Sequence, residues 1–260
     1  HMDFDTRIAG FADFVGRKKY LYDDNGHGTH VAGIIAGSGK GSNGKYRGIA
    51  PDTFLVSVKV LDKSGNGKIE NVVEAAGRVI ENKSAMNIRV VNISFGTRAK
   101  MENGLAIETG EDDYALIMAV EKMWDSGIVV VAAAGNNGPG NTSVTAPGIS
   151  KKIITVGAFD DKNFFSGRGP TRECIVKPEV VVTGSNIIAC NNHQGRYSSK
   201  SGTSMAAPVV SGAVARLIKN NPDITPKEVK IWMKSCCKKI NVPSEKQGWG
   251  VLDIRKFVTG

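Results

Sequence analysis

An α/β protein built around a parallel sheet is predicted by three observations. Apolar runs rich in β-branched residues recur at 54–61, 89–95, 128–134 and 153–159, each bounded by glycine or polar turns. Segments with helical spacing lie between them at 69–80 and 114–124. Strand and helix therefore alternate, as parallel strands joined by crossover helices require. The apolar share of 41% and the 31 glycines complete the case, since they fit a globular core with many tight turns and close backbone approaches.

Taken in order, residues 8–15 read as a short strand, and His27 opens an apolar helical run that continues through 31–36. The four strands and two helices named above follow. Residues 97–113 break the rhythm, being polar and acidic between a strand and a helix, and are expected to form a surface loop bordering a substrate cleft. A hairpin is expected from 186–190 and 195–201. The apolar segment 209–218 follows Ser204 as a helix, and 225–236 reads as a surface helix in which Thr225-Pro226 marks the start. No Pro- or Ser-rich linker divides residues 1–260, so one domain is expected.

The net charge of +9 is scattered along the chain, without the basic stripe interleaved with aromatics that nucleic-acid binding favours. Neither nucleic acid nor membrane is an expected partner, because no run of about 18 apolar residues occurs either. Cys174, Cys190, Cys236 and Cys237 lack metal-ligand spacing, and the adjacent pair is poorly placed to bond to itself. Free thiols are expected, which favours a reducing compartment.

Three short blocks carry chemistry: Asn25-Gly26-His27-Gly28-Thr29-His30, Ala133-Ala134-Gly135-Asn136-Asn137-Gly138 and Gly202-Thr203-Ser204-Met205-Ala206-Ala207-Pro208. Ser204 falls at a helix amino terminus, where free N–H groups favour developing negative charge. A neutral imidazole such as His27 is the natural base for a serine hydroxyl. Asn136 follows a buried strand at its carboxyl end, where α/β sheets bind ligands, and its amide can donate to an oxyanion. Each alone has a plainer reading, as a helix cap, a structural hydrogen bonder or a turn. Their combination points to nucleophilic acyl transfer. His27 and His30 lack a third ligand of suitable spacing, so no metal site is expected there.

At these blocks the chain resembles the subtilisin-like serine peptidases, the subtilases. The likeness continues through Tyr46-Arg47-Gly48-Ile49-Ala50-Pro51, Val58-Lys59-Val60-Leu61, Asn92-Ile93-Ser94-Phe95-Gly96, Phe165-Ser166-Gly167-Arg168-Gly169-Pro170 and Lys177-Pro178-Glu179. It implies a three-layer α/β/α fold with a mainly parallel central sheet and a serine endopeptidase acting through an acyl-enzyme. His27 becomes the general base and then acid, Ser204 the nucleophile, and Asn136 with the Ser204 N–H the oxyanion hole. Ser94, Phe95 and Gly96 match the strand edge that pairs with extended substrate. Ala133, Ala134 and Gly135 match one wall of the pocket for the residue before the scissile bond. Thr145 stands where the family often has a smaller residue, which implies a narrowed pocket preferring medium apolar side chains.

The details are most similar to an intracellular-type bacterial branch, implying a cytoplasmic location. The alternative is a secreted protein whose signal and propeptide are lost from the chain. Catalysis by these groups requires no cofactor. The resemblance implies calcium near Asp3, although the loop 37–46 lacks an asparagine-rich turn.

One part of the pattern is missing. No apolar strand ending in Asp-Thr-Gly or Asp-Ser-Gly precedes His27, and Asp3, Asp5, Asp13, Asp23 and Asp24 do not end an apolar strand. The resemblance therefore implies a peptidase domain over 1–260 lacking its amino-terminal strand and catalytic aspartate. Losing a central strand orphans two hydrogen-bond ladders at roughly 1 to 3 kcal/mol per buried group, against a usual stability of about 5 to 15 kcal/mol. The chain is expected not to fold alone: either an amino-terminal fragment carrying the strand and aspartate stays bound after a nick, or the polypeptide has residues upstream of this sequence. A bound amino-terminal fragment or propeptide is an expected partner besides the peptide or protein substrate. The alternative function is a catalytically inactive peptide-binding domain of the same fold.

Overall fold

The computed structural model describes residues 1–97, 101–102, 105–106, 110–193 and 195–259. The elements run β1 (Ile8–Asp13), α1 (His27–Ala36), β2 (Leu55–Lys59), α2 (Ile69–Asn82), β3 (Val90–Ile93), β4 (Met101–Glu102), β5 (Leu105–Ala106), α3 (Glu111–Asp125), β6 (Val129–Ala133) and β7 (Ile154–Ala158). There follow β8 (Val180–Val182), β9 (Ile187–Cys190), β10 (Tyr197–Lys200), α4 (Thr203–Asn220), α5 (Pro226–Ser235), β11 (Cys237–Lys238), α6 (Ser244–Gln247), β12 (Val251–Leu252) and α7 (Ile254–Thr259).

Six strands form the central sheet in the order β11-β12-β8-β7-β6-β3, parallel throughout except for β11. Its middle strands show why the sequence reads as unbroken apolar runs. Every residue of β6, β7 and β8 is buried, so both faces of each strand must be apolar. α4 lies across β3, β6, β7 and β8, with α1 and α7 beside it, while α2 packs on α3, which reaches β6. Helices thus flank a mainly parallel sheet in three layers.

The expected strands are present with trimmed ends, while α2, α3 and α4 run past their expected bounds. α3 begins at Glu111, earlier than spacing suggests, because Glu111, Asp112 and Asp113 fill its first turn, where the free N–H groups favour carboxylates. Of the segment 97–113, residues 98–100, 103–104 and 107–109 lie outside the described residues, and the expected cleft-bordering loop lies largely with them. β9 and β10 pair antiparallel as the expected hairpin. α5 carries the anticipated cap in full: Thr225 accepts from the Glu228 N–H, and Glu228 reaches back to the Thr225 N–H.

Gly33 explains how tightly α1 docks. A Cβ there would stand 2.8 Å from the backbone nitrogen of Cys190 on β9. The helix therefore keeps a residue that costs about 1 kcal/mol in propensity to bring its backbone against the hairpin.

β1 and β2 do not join the six strands. They form a separate parallel pair, and β3 ends the central sheet. β2 and β3 each have one edge without a strand partner among the described residues. Val58 of β2 and Phe95 just after β3 pack against the same small cluster of Phe14, Val60, Val72, Ala75, Leu116 and Ala146. The two open edges therefore belong to neighbouring ends of the two sheets.

A buried ion network fastens the far side. Lys177 is fully buried, and its Nζ donates to both carboxylate oxygens of Glu179 (2.7 and 2.9 Å), to the Ile153 carbonyl and to Thr155 Oγ1 (both 3.2 Å). Glu179 also accepts from the Thr155 N–H on β7 and pairs with Lys230 of α5 at 2.9 Å. Burial pushes the Lys177 ammonium down to about 8, while Glu179 pulls it back up.

Candidate active site

Ser204 is the second residue of α4, and its Oγ donates to the Ser94 carbonyl at 2.9 Å. The residue before it organises the neighbourhood. Thr203 donates from both its N–H (3.0 Å) and its hydroxyl (3.1 Å) to Asn136 Oδ1, and its Oγ1 accepts from the Gly135 N–H at 3.1 Å. With its oxygen held, the exposed Asn136 amide has one orientation, and Nδ2 lies 3.2 Å from where a Cβ on Gly202 would stand. Gly135 makes the turn out of β6 at φ +89°, and a Cβ there would come 2.7 Å from Thr145 Oγ1. Asn136, Ser204 and Ser94 are therefore brought together through Thr203.

Thr145 is buried, and its N–H donates to the Ala134 carbonyl at 3.2 Å. Its Oγ1 lies 2.5 Å from the Cβ position of Gly96 and 2.7 Å from that of Gly135. The side chain thus fills the gap between the Ser94–Phe95–Gly96 segment and the end of β6. Ala133 and Ala134 are both buried. Phe95 is half-buried and packs against both hydrophobic clusters, while Gly96 is exposed.

His27 begins α1, whose cap Gly26 has φ +90°. The cap is carried from upstream. Asp23 Oδ1 accepts from the N–H groups of Asn25 (3.0 Å) and Gly26 (2.8 Å), and Oδ2 accepts from the Thr29 N–H (2.9 Å) and hydroxyl (2.6 Å). Burial works to raise the Asp23 carboxyl, but these hydrogen bonds, led by Thr29, hold it below the usual range. Burial and the nearby Lys200 charge lower the His27 imidazole below its ordinary value, against the opposing field of Asp23. Both lowering effects favour the neutral form of the ring. It makes no hydrogen bond to another described residue, so neither Ser204 nor a carboxylate is joined to it. His30 is fully buried, with Nε2 meeting the carbonyls of Ser198 (3.0 Å) and Ile187 (3.2 Å).

One expectation about carboxylates needs correction. Asp13 does end a strand, because the mixed sequence IAGFAD pairs with β2 despite its glycine and alanines. Its carboxylate is consumed locally: Oδ1 accepts from the N–H groups of Val15 and Gly16, and Oδ2 from the Lys18 N–H and the Tyr22 hydroxyl. Burial opposes ionisation, yet these bonds lower its carboxyl to about 2. Asp13 shapes the loop after β1 and makes no bond to His27.

Asp3 does not fit calcium. Its buried carboxylate already accepts from the N–H groups of Gly39 (3.1 Å) and Gly41 (2.8 Å) and from the Tyr197 hydroxyl (2.8 and 3.0 Å), with the Cys190 thiol at 3.5 Å. Calcium takes roughly six to eight oxygen ligands, whereas this carboxylate is ringed by hydrogen-bond donors.

The sequence pattern of the subtilase family, peptidase S8, matches residues 1–250. The chain belongs to the subtilase family. It is 41% identical over 261 residues to serine protease AprX of Bacillus subtilis (strain 168), a match covering 90% of the chain and 58% of that protein. It is 34% identical over 222 residues to an intracellular serine protease of Paenibacillus polymyxa, covering 83% of the chain and 61% of that relative. The chain thus spans about three-fifths of the length of these relatives. Among solved structures, a cold-adapted subtilisin-like serine proteinase matches with a TM-score of 0.77 at 30% identity, over 97% of this subtilase chain and 81% of the other.

Two further residues of the site lie beyond the reach of sequence reasoning. Thr203 carries no signal beyond its place in the Gly-Thr-Ser block, and its grip on Asn136 depends on β6 meeting α4. The Lys200 charge reaches the imidazole only because the β9–β10 hairpin docks on α1.

Proposed function

We propose that this subtilase is a serine endopeptidase in which Ser204 attacks a peptide carbonyl, His27 accepts its proton, and Asn136 with the Ser204 N–H holds the oxyanion. The single observation that supports this reading is the Thr203 clamp, which holds the Asn136 side-chain oxygen against the residue before Ser204. Donors already aimed at the developing charge commonly accelerate acyl transfer more than any other device an active site offers. In this reading the Ser204 hydroxyl leaves the Ser94 carbonyl and gives its proton to the imidazole. His27 then returns the proton to the leaving amine. These groups complete the chemistry without a cofactor.

The test is covalent. A fluorophosphonate probe applied to the native preparation is expected to label the chain, and Ser204→Ala is expected to abolish labelling. Absence of labelling in the unaltered protein would instead support a peptide-binding domain without catalysis, the reading favoured by a His27 ring that is hydrogen-bonded to no carboxylate among the described residues.

Substrate lies extended along Ser94, Phe95 and Gly96, and its residue before the scissile bond enters between Gly96 and the Ala133–Gly135 wall. Thr145 fills part of that space, which supports a preference for medium apolar side chains over bulky aromatic ones. Thr145→Gly is expected to raise the phenylalanine-to-valine ratio of kcat/KM at that position by about tenfold, the scale of one or two methylene-sized gaps. An unchanged ratio in a peptide series would remove Thr145 from the pocket.

The orienting carboxylate comes, in this reading, on a further strand between β2 and β3. Their unpaired edges and the absence of a carboxylate bonded to His27 among the described residues support it. The partner is an amino-terminal fragment of the protein or its propeptide. The cytoplasm is the proposed location, on the strength of the intracellular relative and of four free cysteines. Among the described residues no helix is long and apolar enough to cross a membrane.

A further inference from the structure

We propose that Lys200 selects an acidic side chain in the substrate residue immediately after the scissile bond. This deepens the peptidase reading and rests on it. The geometry starts from the docking of β10 on α1, where His30 Nε2 meets the carbonyls of Ser198 and Ile187. Lys200 lies two residues beyond Ser198 at the end of β10, and His27 lies one turn before His30 on α1. Gly33 of α1 packs against Cys190 and His30 against Ile187, so the helix and the hairpin run side by side, and Lys200, which pairs with Ile187, lies toward the His27 end. The Lys200 charge acts on the imidazole from there.

That end is the leaving side of the reaction. The imidazole that takes the serine proton hands it to the departing nitrogen, so the departing half of the substrate must pass His27. The acyl half lies on the opposite side of Ser204, where Oγ touches the Ser94 carbonyl. A cation beside His27 therefore faces the first residue of the new amino terminus.

Among the described residues the cation is also uncommitted. Half-buried Lys200 forms no ion pair or side-chain hydrogen bond with a described residue. Asp23, the carboxylate whose field reaches His27, is consumed by three N–H groups and the Thr29 hydroxyl. Asp24 pairs instead with Lys59 at 2.7 Å. A lysine ammonium on a flexible stem offers three donors to an incoming carboxylate, and a positively charged substrate residue there meets repulsion.

The experiment compares internally quenched peptides identical except for Glu, Gln or Lys after the scissile bond, cleaved by the native, full-length preparation. The expected kcat/KM order is Glu, Gln, Lys, with Glu over Lys by about tenfold at low salt and by much less at about 0.5 M salt. Within each variant the ratio is its own control: Lys200→Gln is expected to flatten it and Lys200→Glu to invert it. A Glu-to-Lys ratio within about twofold in the unaltered protein, or a preference retained in Lys200→Glu, overturns the proposal while labelled Ser204 leaves the peptidase reading standing. Failure of both labelling and cleavage overturns the peptidase reading and this proposal with it.

Discussion

A synthetic peptide carrying an apolar strand that ends in Asp-Ser-Gly or Asp-Thr-Gly, added to the chain, is expected to raise peptide turnover by about 10⁴-fold. That is the cost of losing the carboxylate that orients a triad imidazole. The structural ground is the divided sheet: β2 and β3 each present an unpaired edge, and their neighbouring ends share one small cluster. A strand seated between them would satisfy both ladders and deliver a carboxylate at its carboxyl end. The same peptide with Asn in place of Asp separates the two effects. It is expected to restore cooperative folding, read by urea denaturation, without restoring turnover. Intact mass spectrometry of the native preparation, denatured on injection, should likewise show a second fragment or a longer chain. A single species of the mass of these 260 residues, monomeric and cooperatively folded, would sink the idea.

Glu179→Ala carries the second large effect. Glu179 holds the fully buried Lys177 as well as Lys230 and the Thr155 N–H. Removing it leaves a buried ammonium without its counter-ion, at an expected cost of about 3 to 5 kcal/mol. Such a loss is a large part of the roughly 5 to 15 kcal/mol that holds a domain together. A shift of the urea midpoint measures it. The double change Lys177→Met with Glu179→Gln removes the charge while keeping an acceptor for Thr155, and is expected to recover about half of the loss. No recovery would mean that Glu179 acts through packing rather than through its pairing with Lys177.

The parts of this molecule legible in the sequence are those where one physical rule acts alone. β6 and β7 are buried on both faces, so their composition announces them, and the cap of α5 is written in Thr225, Pro226 and Glu228. β8 is silent because its three valines are too short a run to stand out from a loop. Asp13 is hard to place for a related reason: the strand reads as 8–15, and nothing local shows that it stops at Asp13. At the site, Ser204, His27 and Asn136 are visible through their glycine-rich settings. The Thr203 clamp and the Lys200 charge depend on segments 67 or more residues apart meeting in space, and the Thr145 wedge on a gap between two glycines. Lys177 and Glu179 stand in a recognisable block, but charged residues are rarely fully buried, and nothing local signals that these are.

Thr203 grips Asn136 twice while standing next to Ser204 in the chain. In the proposed reading, hydroxyl and amide are tied together through Thr203, with Ser204 on the first turn of α4 and Asn136 just after β6. His27 rides on α1, which packs alongside. A shift of α1 against α4 would leave the Thr203–Asn136 bonds intact and change only the reach to His27, so in the proposed chemistry the packing of these two helices sets the one distance that Thr203 does not.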